Sequence, residues 1–326
     1  MAVESYVYKF SPENPYQTLL ANGLNEHGVS VVKEFTLSDL LRLPARERDR
    51  ARVLHLHWLP RFPCRPNELV NWLRYACVIG QLKRQGWAIV WTAHNLVPHE
   101  NRFIWADRWL TTKVVNLADC IICHSEAAKV ELLNVTGPQH ASKACVIPHG
   151  NYIGCYPNVL KRADCRVKLE ISNDAIVFLS LGLIRPYKGV IELIEAFKKI
   201  PDTSAILLIA GKPMDRNTDN RVRALVATDS RVRYFPGHVP DDDLQLYFNA
   251  ADAVVFPYRR SLTSGALVLA MSYGRAAIAP RLPSMLECLG GEGGVFYSAD
   301  APDGLESALK EALGRRDEFA AMGVKN

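Results

Sequence analysis

Two stretches of this chain concentrate residues suited to phosphate and proton chemistry. The first is Leu181-Gly-Leu-Ile-Arg-Pro-Tyr-Lys-Gly-Val-Ile-Glu-Leu-Ile-Glu-Ala-Phe197. It reads as a strand ending at Gly182, a short loop carrying Arg185 and Lys188, and an amphipathic helix. Cations beside a helix N-terminus hold linked phosphates well, because fixed charge and free amides act on the same oxygens. A basic surface turn has the same spacing, so the stretch alone leaves both readings open. Downstream, Leu262-Thr-Ser-Gly-Ala-Leu-Val-Leu-Ala-Met-Ser-Tyr-Gly274 reads as a small-residue turn opening an apolar helix. Thr263, Ser264 and Gly265 let backbone N–H groups approach phosphate oxygens, and the hydroxyls add donors. Leu267, Val268 and Met271 anchor that helix in a core. Between the two lie Phe235-Pro-Gly-His-Val-Pro-Asp-Asp-Asp-Leu244, a loop and helix cap, and the buried strand before Phe256-Pro-Tyr258.

The second stretch is Ala88-Ile-Val-Trp-Thr-Ala-His-Asn-Leu-Val-Pro-His-Glu100, which sets His94, Asn95, His99 and Glu100 just past a buried strand. Histidine titrates near neutrality and can exchange protons with a hydroxyl group. A metal site on His94, His99 and Glu100 is disfavoured, because Pro98 sits inside the spacing and the order of a zinc-binding helix is absent. A structural loop with capped histidines is the plainer alternative. His57, before Trp58, reads as a core histidine or a base, and His124 and Ser125 as lining a ligand cleft or, more simply, satisfying backbone groups. His149 and Gly150 end a strand near the middle of the chain. Cys120-Ile-Ile-Cys123 has redox spacing but lies inside a strand-like run with no second such pair, so the eight cysteines read as buried, reduced thiols.

These groups must be held by something, and short apolar strands alternating with helical patterns supply it. Strands are expected at Tyr6–Phe10, Val29–Val32, Val53–His57, Ala88–Thr92, Cys120–Cys123 and Ala144–Ile147. A second set is expected at Ile176–Gly182, Ser204–Ala210, Val232–Phe235, Ala253–Phe256, Ala276–Ala279 and Gly294–Tyr297. The alternation implies an α/β chain with mostly parallel sheets. Gly150–Arg166 has little periodicity and reads as a linker. The expected domains are residues 1–155 and 165–326, two Rossmann-like units facing across a cleft where ligands of open α/β sheets bind.

The chain's 326 residues are 48% hydrophobic and 22% charged, enough for two globular cores. No apolar run approaches the roughly 20 residues that span a bilayer, and the start lacks the apolar region of a signal peptide. A cytoplasmic protein is the expectation. A net charge of +5 suits phosphate ligands or anionic lipid, whereas no dense Lys/Arg block with interleaved aromatics points to nucleic acid. Leu69, Val70, Trp72, Leu73, Cys77 and Ile79 share a segment with Arg74, Lys83 and Arg84, near Phe103, Trp105, Trp109 and the basic stretch Arg42–Arg52. Such a surface suits peripheral docking at the inner face of a membrane, or a helix packed on its own sheet. No Gly-x-Gly-x-x-Gly follows the first strand, which disfavours a dehydrogenase.

In sequence order, the Gly182 to Lys188-Gly189 loop, Ala250-Ala-Asp252, Phe256-Pro257 and Ala270-Met-x-x-Gly274 resemble the donor domain of GT-B glycosyltransferases, family 4-like, over about residues 176–322. By that resemblance Lys188 and Arg185 bind the diphosphate of a nucleotide sugar. The amides of Thr263, Ser264 and Gly265 take the distal phosphate, and Gly237 and His238 lie beside the base. The likeness departs at Leu183, where the family carries arginine, and at Ser261 and Leu269, where it carries a Glu-x₇-Glu pair. Asn14-Pro-Tyr16, Leu54-His-Leu-His-Trp58 and the His94–Glu100 loop further resemble bacterial exopolysaccharide β-mannosyltransferases that use GDP-mannose. This implies an inverting transfer in which His94 touches the donor sugar and a carboxylate, Glu100 ahead of Glu13, acts as base, with His57 a second candidate. Asn14, Tyr16 and His57 fall on the acceptor side.

The resemblance implies a hexosyltransferase with no cofactor and no metal. Its partners are a nucleotide diphosphate sugar, GDP-mannose ahead of a UDP-sugar, and a saccharide or lipid-linked acceptor of surface polysaccharide synthesis. A non-catalytic nucleotide-sugar-binding or partner subunit is the alternative, since the glutamate pair is missing. A nucleotide-sugar epimerase on the same fold is a third. The family continues into helices that cross back onto the first domain, whereas this sequence ends at Ala321-Met-Gly-Val-Lys-Asn326.

Overall fold

Every expected strand forms, and each lies beside parallel neighbours. The computed structural model describes residues 2–8, 10–11, 15–43, 50–63, 66–96 and 103–326, which fall into two units, Met1–Pro148 and His149–Asn326. In the first unit the strands are β1 (Ala2–Val7), β2 (Val29–Val32), β3 (Arg50–Leu56), β4 (Ala88–Thr92), β5 (Cys120–Cys123) and β6 (Ala144–Val146). They form one parallel sheet in the order β2-β1-β3-β4-β5-β6. β1 starts earlier than the expected Tyr6–Phe10, because Ala2–Val7 pairs with Arg50–His55 and leaves the later residues beyond the ladder.

The second unit repeats this design with β7 (Ile176–Leu181), β8 (Ala205–Gly211), β9 (Val232–Pro236), β10 (Ala253–Val255), β11 (Ala276–Pro280) and β12 (Gly294–Tyr297). The order is β12-β11-β10-β7-β8-β9, again parallel. Side chains alternate along a strand, so each face builds its own core. Phe178, Leu207 and Ile209 pack with Leu193 and Phe197 of the helix Val190–Lys198. Val177, Leu179 and Leu208 face the other way, onto Phe248, Leu267 and Met285. Burial on both faces explains why these strands read as continuous apolar runs.

The stretch read as a linker is fastened to the second unit. The Tyr152 N–H donates to Ser272 Oγ (2.9 Å), and the Val159 and Leu160 N–H groups both donate to Gln245 Oε1. A helix at Arg162–Lys168 buries Arg166 completely. Its guanidinium donates to the carbonyls of Ala250, Ser172, Asn173 and Ala175 and pairs with Asp252 at 2.8 Å. The same carboxylate oxygen also accepts from the Val177 N–H of β7 (2.7 Å), and Arg162 pairs with the other oxygen.

Candidate functional site

In each sheet the chain reverses its direction of strand addition once, and ligands of open α/β sheets bind outside the carboxyl ends of strands at such a point. In the first unit the reversal lies between β1 and β3. Here the structure collects His57, just past β3, His94, just past β4, and Tyr16, in the first turn of the helix Pro15–Glu26. His57 Nδ1 lies 3.2 Å from His94 Nε2. The Tyr16 ring stands edge-on to both, at 5.7 and 5.0 Å between centroids, and to His124 at 5.5 Å. Two residues outside the expected set complete the cluster. His55 stacks on His57 (4.4 Å) and reaches Thr92 Oγ1 (2.9 Å), and Thr92 in turn bonds the Tyr16 hydroxyl. Trp58 stacks flat on His94, 4.6 Å between centroids and 15° from parallel.

Burial decides the charge of this cluster. It pushes the His55 imidazole down to about 4 and raises the Tyr16 hydroxyl to about 12. Burial also depresses His57, helped by repulsion from His55, His94 and His124. His124 is lowered too, against the opposing effect of its bond to the Ile147 carbonyl. At neutral pH His55, His57 and His124 are therefore hydrogen-bonding imidazoles rather than cations. In the His57–His94 contact one ring donates and the other accepts. Among the described residues no three of His, Cys, Asp and Glu are placed to hold a metal ion.

A pH effect on stability follows. His55 has an ordinary value near 6.5 in the unfolded chain and about 4 when folded. Between those values the unfolded chain binds more protons, so stability falls as pH drops through this window and stops falling below it. From pH 7 to pH 5, His55 alone is expected to cost about 2 kcal/mol. Urea unfolding at both pH values checks this, and His55→Leu should flatten the slope. Equal slopes for the two proteins would rule His55 out as the source.

In the second unit the reversal lies between β7 and β10. The loop after β7 carries Arg185 and Lys188, and the segment after β10 leads to Thr263, Ser264 and Gly265. Both side chains of the first loop are half-buried, and Lys188 Nζ lies 5.3 Å from the centre of the Tyr258 ring. Gly189 is left-handed (φ 66°), and a Cβ there would overlap the Pro257 carbonyl oxygen, so glycine lets the two loops touch. At Gly211, the end of β8, a Cβ would overlap the Gly182 carbonyl oxygen. Gly237 continues this row, its N–H donating to Gly211 O at 3.1 Å, and His238 beside it is exposed.

Ser264 caps the helix Gly265–Ser272, its Oγ accepting from the Leu267 N–H at 3.2 Å, which leaves its O–H to donate elsewhere. Thr263 Oγ1 is buried and has no hydrogen-bond partner among the described residues. Tyr152, which the sequence placed in a linker, sets its hydroxyl 3.5 Å from where a Cβ on Gly265 would stand. Leu269 packs against the core of its unit, and Ser261 offers its carbonyl to Ser284 Oγ (2.7 Å). Two segments suited to anions, one carrying cations and one offering backbone amides, thus follow neighbouring strands at the carboxyl edge of one sheet and touch at Gly189 and Pro257. Glu100, His99, Asn14 and Glu13 lie outside the described residues.

Residues 175–315 match the family described as glycosyl transferases group 1. Over 270 residues the chain is 30% identical to GDP-mannose:glycolipid 4-beta-D-mannosyltransferase of Xanthomonas campestris pv. campestris, covering 82% of this chain and 70% of that protein. The chain belongs to the group 1 glycosyltransferases. This glycosyltransferase is also 28% identical over 269 residues to D-inositol 3-phosphate glycosyltransferase of Gordonia bronchialis, covering 75% of this chain and 58% of that one. Its fold resembles sucrose-phosphate synthase of Thermosynechococcus elongatus, with a TM-score of 0.76, 17% identity and coverage of 100% and 93%. It also resembles the Anabaena protein HepE solved with UDP, with a TM-score of 0.74, 15% identity and the same coverage. The group 1 glycosyltransferase therefore has the GT-B fold, and the α/β expectation holds for both units.

Proposed function

We propose that this transferase moves mannose from GDP-mannose onto a lipid-linked saccharide at the inner face of a cytoplasmic membrane, in surface polysaccharide synthesis. The supporting observation is that the Arg185–Lys188 loop follows β7 and the segment leading to the Thr263–Gly265 turn follows β10, on either side of the β7/β10 reversal, with Lys188 over Tyr258 and Gly189 against Pro257. The mannosyl donor is suggested by the name of the Xanthomonas relative. Negative charge accumulates on the departing diphosphate, where Lys188, Arg185 and the helix amides stabilise it most. Gly237 and His238 flank the base. His94, kept in place by His57 and Trp58, contacts the donor sugar, Glu100 takes the acceptor proton, and Asn14, Tyr16 and His57 face the acceptor. Leu269 has no group for ribose hydroxyls, so in this reading backbone and loop polar atoms hold them.

Membrane contact is supported by one face of the helices Pro66–Arg84 and Ile104–Leu117. Trp72 and Ile79 turn inward, so the outward surface is narrower than the sequence implied. Val70 and Trp105 are 67% and 69% exposed, flanked by Leu73, Ile104 and Trp109. Trp109 rests on Trp72, and Lys113 lies over its ring at 5.1 Å, with Arg74 and Arg108 exposed nearby. Tryptophan with cations suits an anionic lipid interface. Among the described residues no helix is long and apolar enough to cross a membrane.

One experiment addresses donor, acceptor and membrane together. The chain is incubated with radiolabelled GDP-mannose and phosphatidylglycerol vesicles carrying polyprenyl diphosphate saccharides extracted from bacterial membranes. Label is expected in the sedimented vesicles, with one GDP released per mannose moved and at least tenfold less transfer from UDP-glucose. Label confined to the supernatant, or a preference for UDP-glucose, would reject this reading.

A further inference from the structure

We propose that a cavity in the first unit, beside the histidine pair, binds one pyranose ring of the acceptor; this deepens and rests on the transferase reading above. The cavity measures about 190 Å³ and opens at the carboxyl ends of β3 and β4. That is below the roughly 300 Å³ at which drug-sized pockets begin, so it suits a single ring and not a chain of them. Trp58 and Arg61 form one wall, Asn95 another, and Asp107, Leu110 and Thr111 of the helix Ile104–Leu117 the back.

The polar groups of the back are already engaged. Asp107 Oδ1 accepts from the Phe62 N–H at 2.7 Å, and Thr111 Oγ1 donates to the Leu96 carbonyl at 3.0 Å. They tie the loop after β3 and the loop after β4 to one helix, which fixes the shape of the space. The walls are different. Arg61 and Asn95 are exposed and have no hydrogen-bond or ion-pair partner among the described residues, and Trp58 is 38% exposed. An indole, an amide and a guanidinium are therefore left for a ligand.

A pyranose matches that set. Its axial C–H groups give it an apolar face for the indole, and its rim of hydroxyls both donates to and accepts from an amide and accepts from a guanidinium. Trp58 belongs at once to this cavity and to the stack on His94, so filling the cavity and orienting His94 are coupled. The ring held there is placed next to the imidazoles that handle the transferred group.

Saturation-transfer NMR of methyl β-glucopyranoside and methyl α-mannopyranoside against the full chain tests this, with GDP-induced thermal stabilisation measured in parallel. At least one glycoside is expected to bind through its C–H face. Asn95→Ala and Arg61→Ala, both at exposed positions, should weaken that binding at least tenfold and leave the GDP-induced shift unchanged. Absence of binding by both glycosides, or equal binding by the variants, would overturn the subsite while a retained GDP shift leaves the donor reading standing. Protection by inorganic pyrophosphate in place of the glycosides would also overturn it, assigning Arg61 to phosphate. A chain that GDP does not stabilise would instead count against the donor reading.

Discussion

Lys188→Ala is expected to lower kcat/KM for the donor about a thousandfold, with little change in melting temperature. A thousandfold corresponds to about 4 kcal/mol of transition-state stabilisation, a magnitude typical of removing a preorganised group from a developing charge. Lys188 is suited to that size of effect because it is half-buried on an aromatic wall, where solvent screens it less than on an open surface. No ion pair of the fold uses its ammonium group among the described residues. Stability should therefore change little. Lys188→Arg keeps the charge and should recover part of the rate, since a guanidinium must find new geometry beside Gly182 and Tyr258. Steady-state kinetics with radiolabelled donor, alongside circular dichroism melting, separates the two effects. Wild-type turnover by the alanine variant would end the phosphate assignment of this loop.

Arg166→Met should have its largest effect on stability, costing about 3–5 kcal/mol. The guanidinium is fully buried and serves four carbonyls and the Asp252 carboxylate at once. Methionine fills much of the volume but leaves those acceptors without donors, and a buried acceptor that loses its partner carries its full desolvation penalty. For a unit of this size the loss corresponds to roughly 10 °C or more in the melting temperature. Calorimetry should show the transition of the second unit moving and that of the first unit staying in place. If both transitions stayed, the Arg166 network would be dispensable.

This network also shows where sequence reasoning stops. Residues 150–166 lack periodicity, and a segment without a repeating apolar face gives no local sign of what it packs on. Its anchors, Tyr152 to Ser272 and Arg166 to Asp252, join residues far apart in the chain. Likewise, Cys120 and Cys123 are an odd number of residues apart on a strand, so they point to opposite faces. The neighbour of Cys120 is Cys145 on β6, with sulfurs 3.4 Å apart.

The sequence by itself determined the twelve strands, their parallel character and the loops that follow them, because buried parallel strands are apolar runs whatever their neighbours. It also placed Lys188, Ser264 and His94 past the ends of such strands, where loops open onto the ligand edge of the sheet, whereas the capping role of Ser264 came from the structure. Only the tertiary structure decided which loops meet. Strand order is a long-range choice, and it brought β1 beside β3 and β7 beside β10, setting Tyr16 against His57 and Lys188 against Tyr258. Tertiary packing likewise turned Trp72 inward and Trp105 outward from neighbouring helices, because amphipathic spacing gives a face its composition but not the partner that covers it.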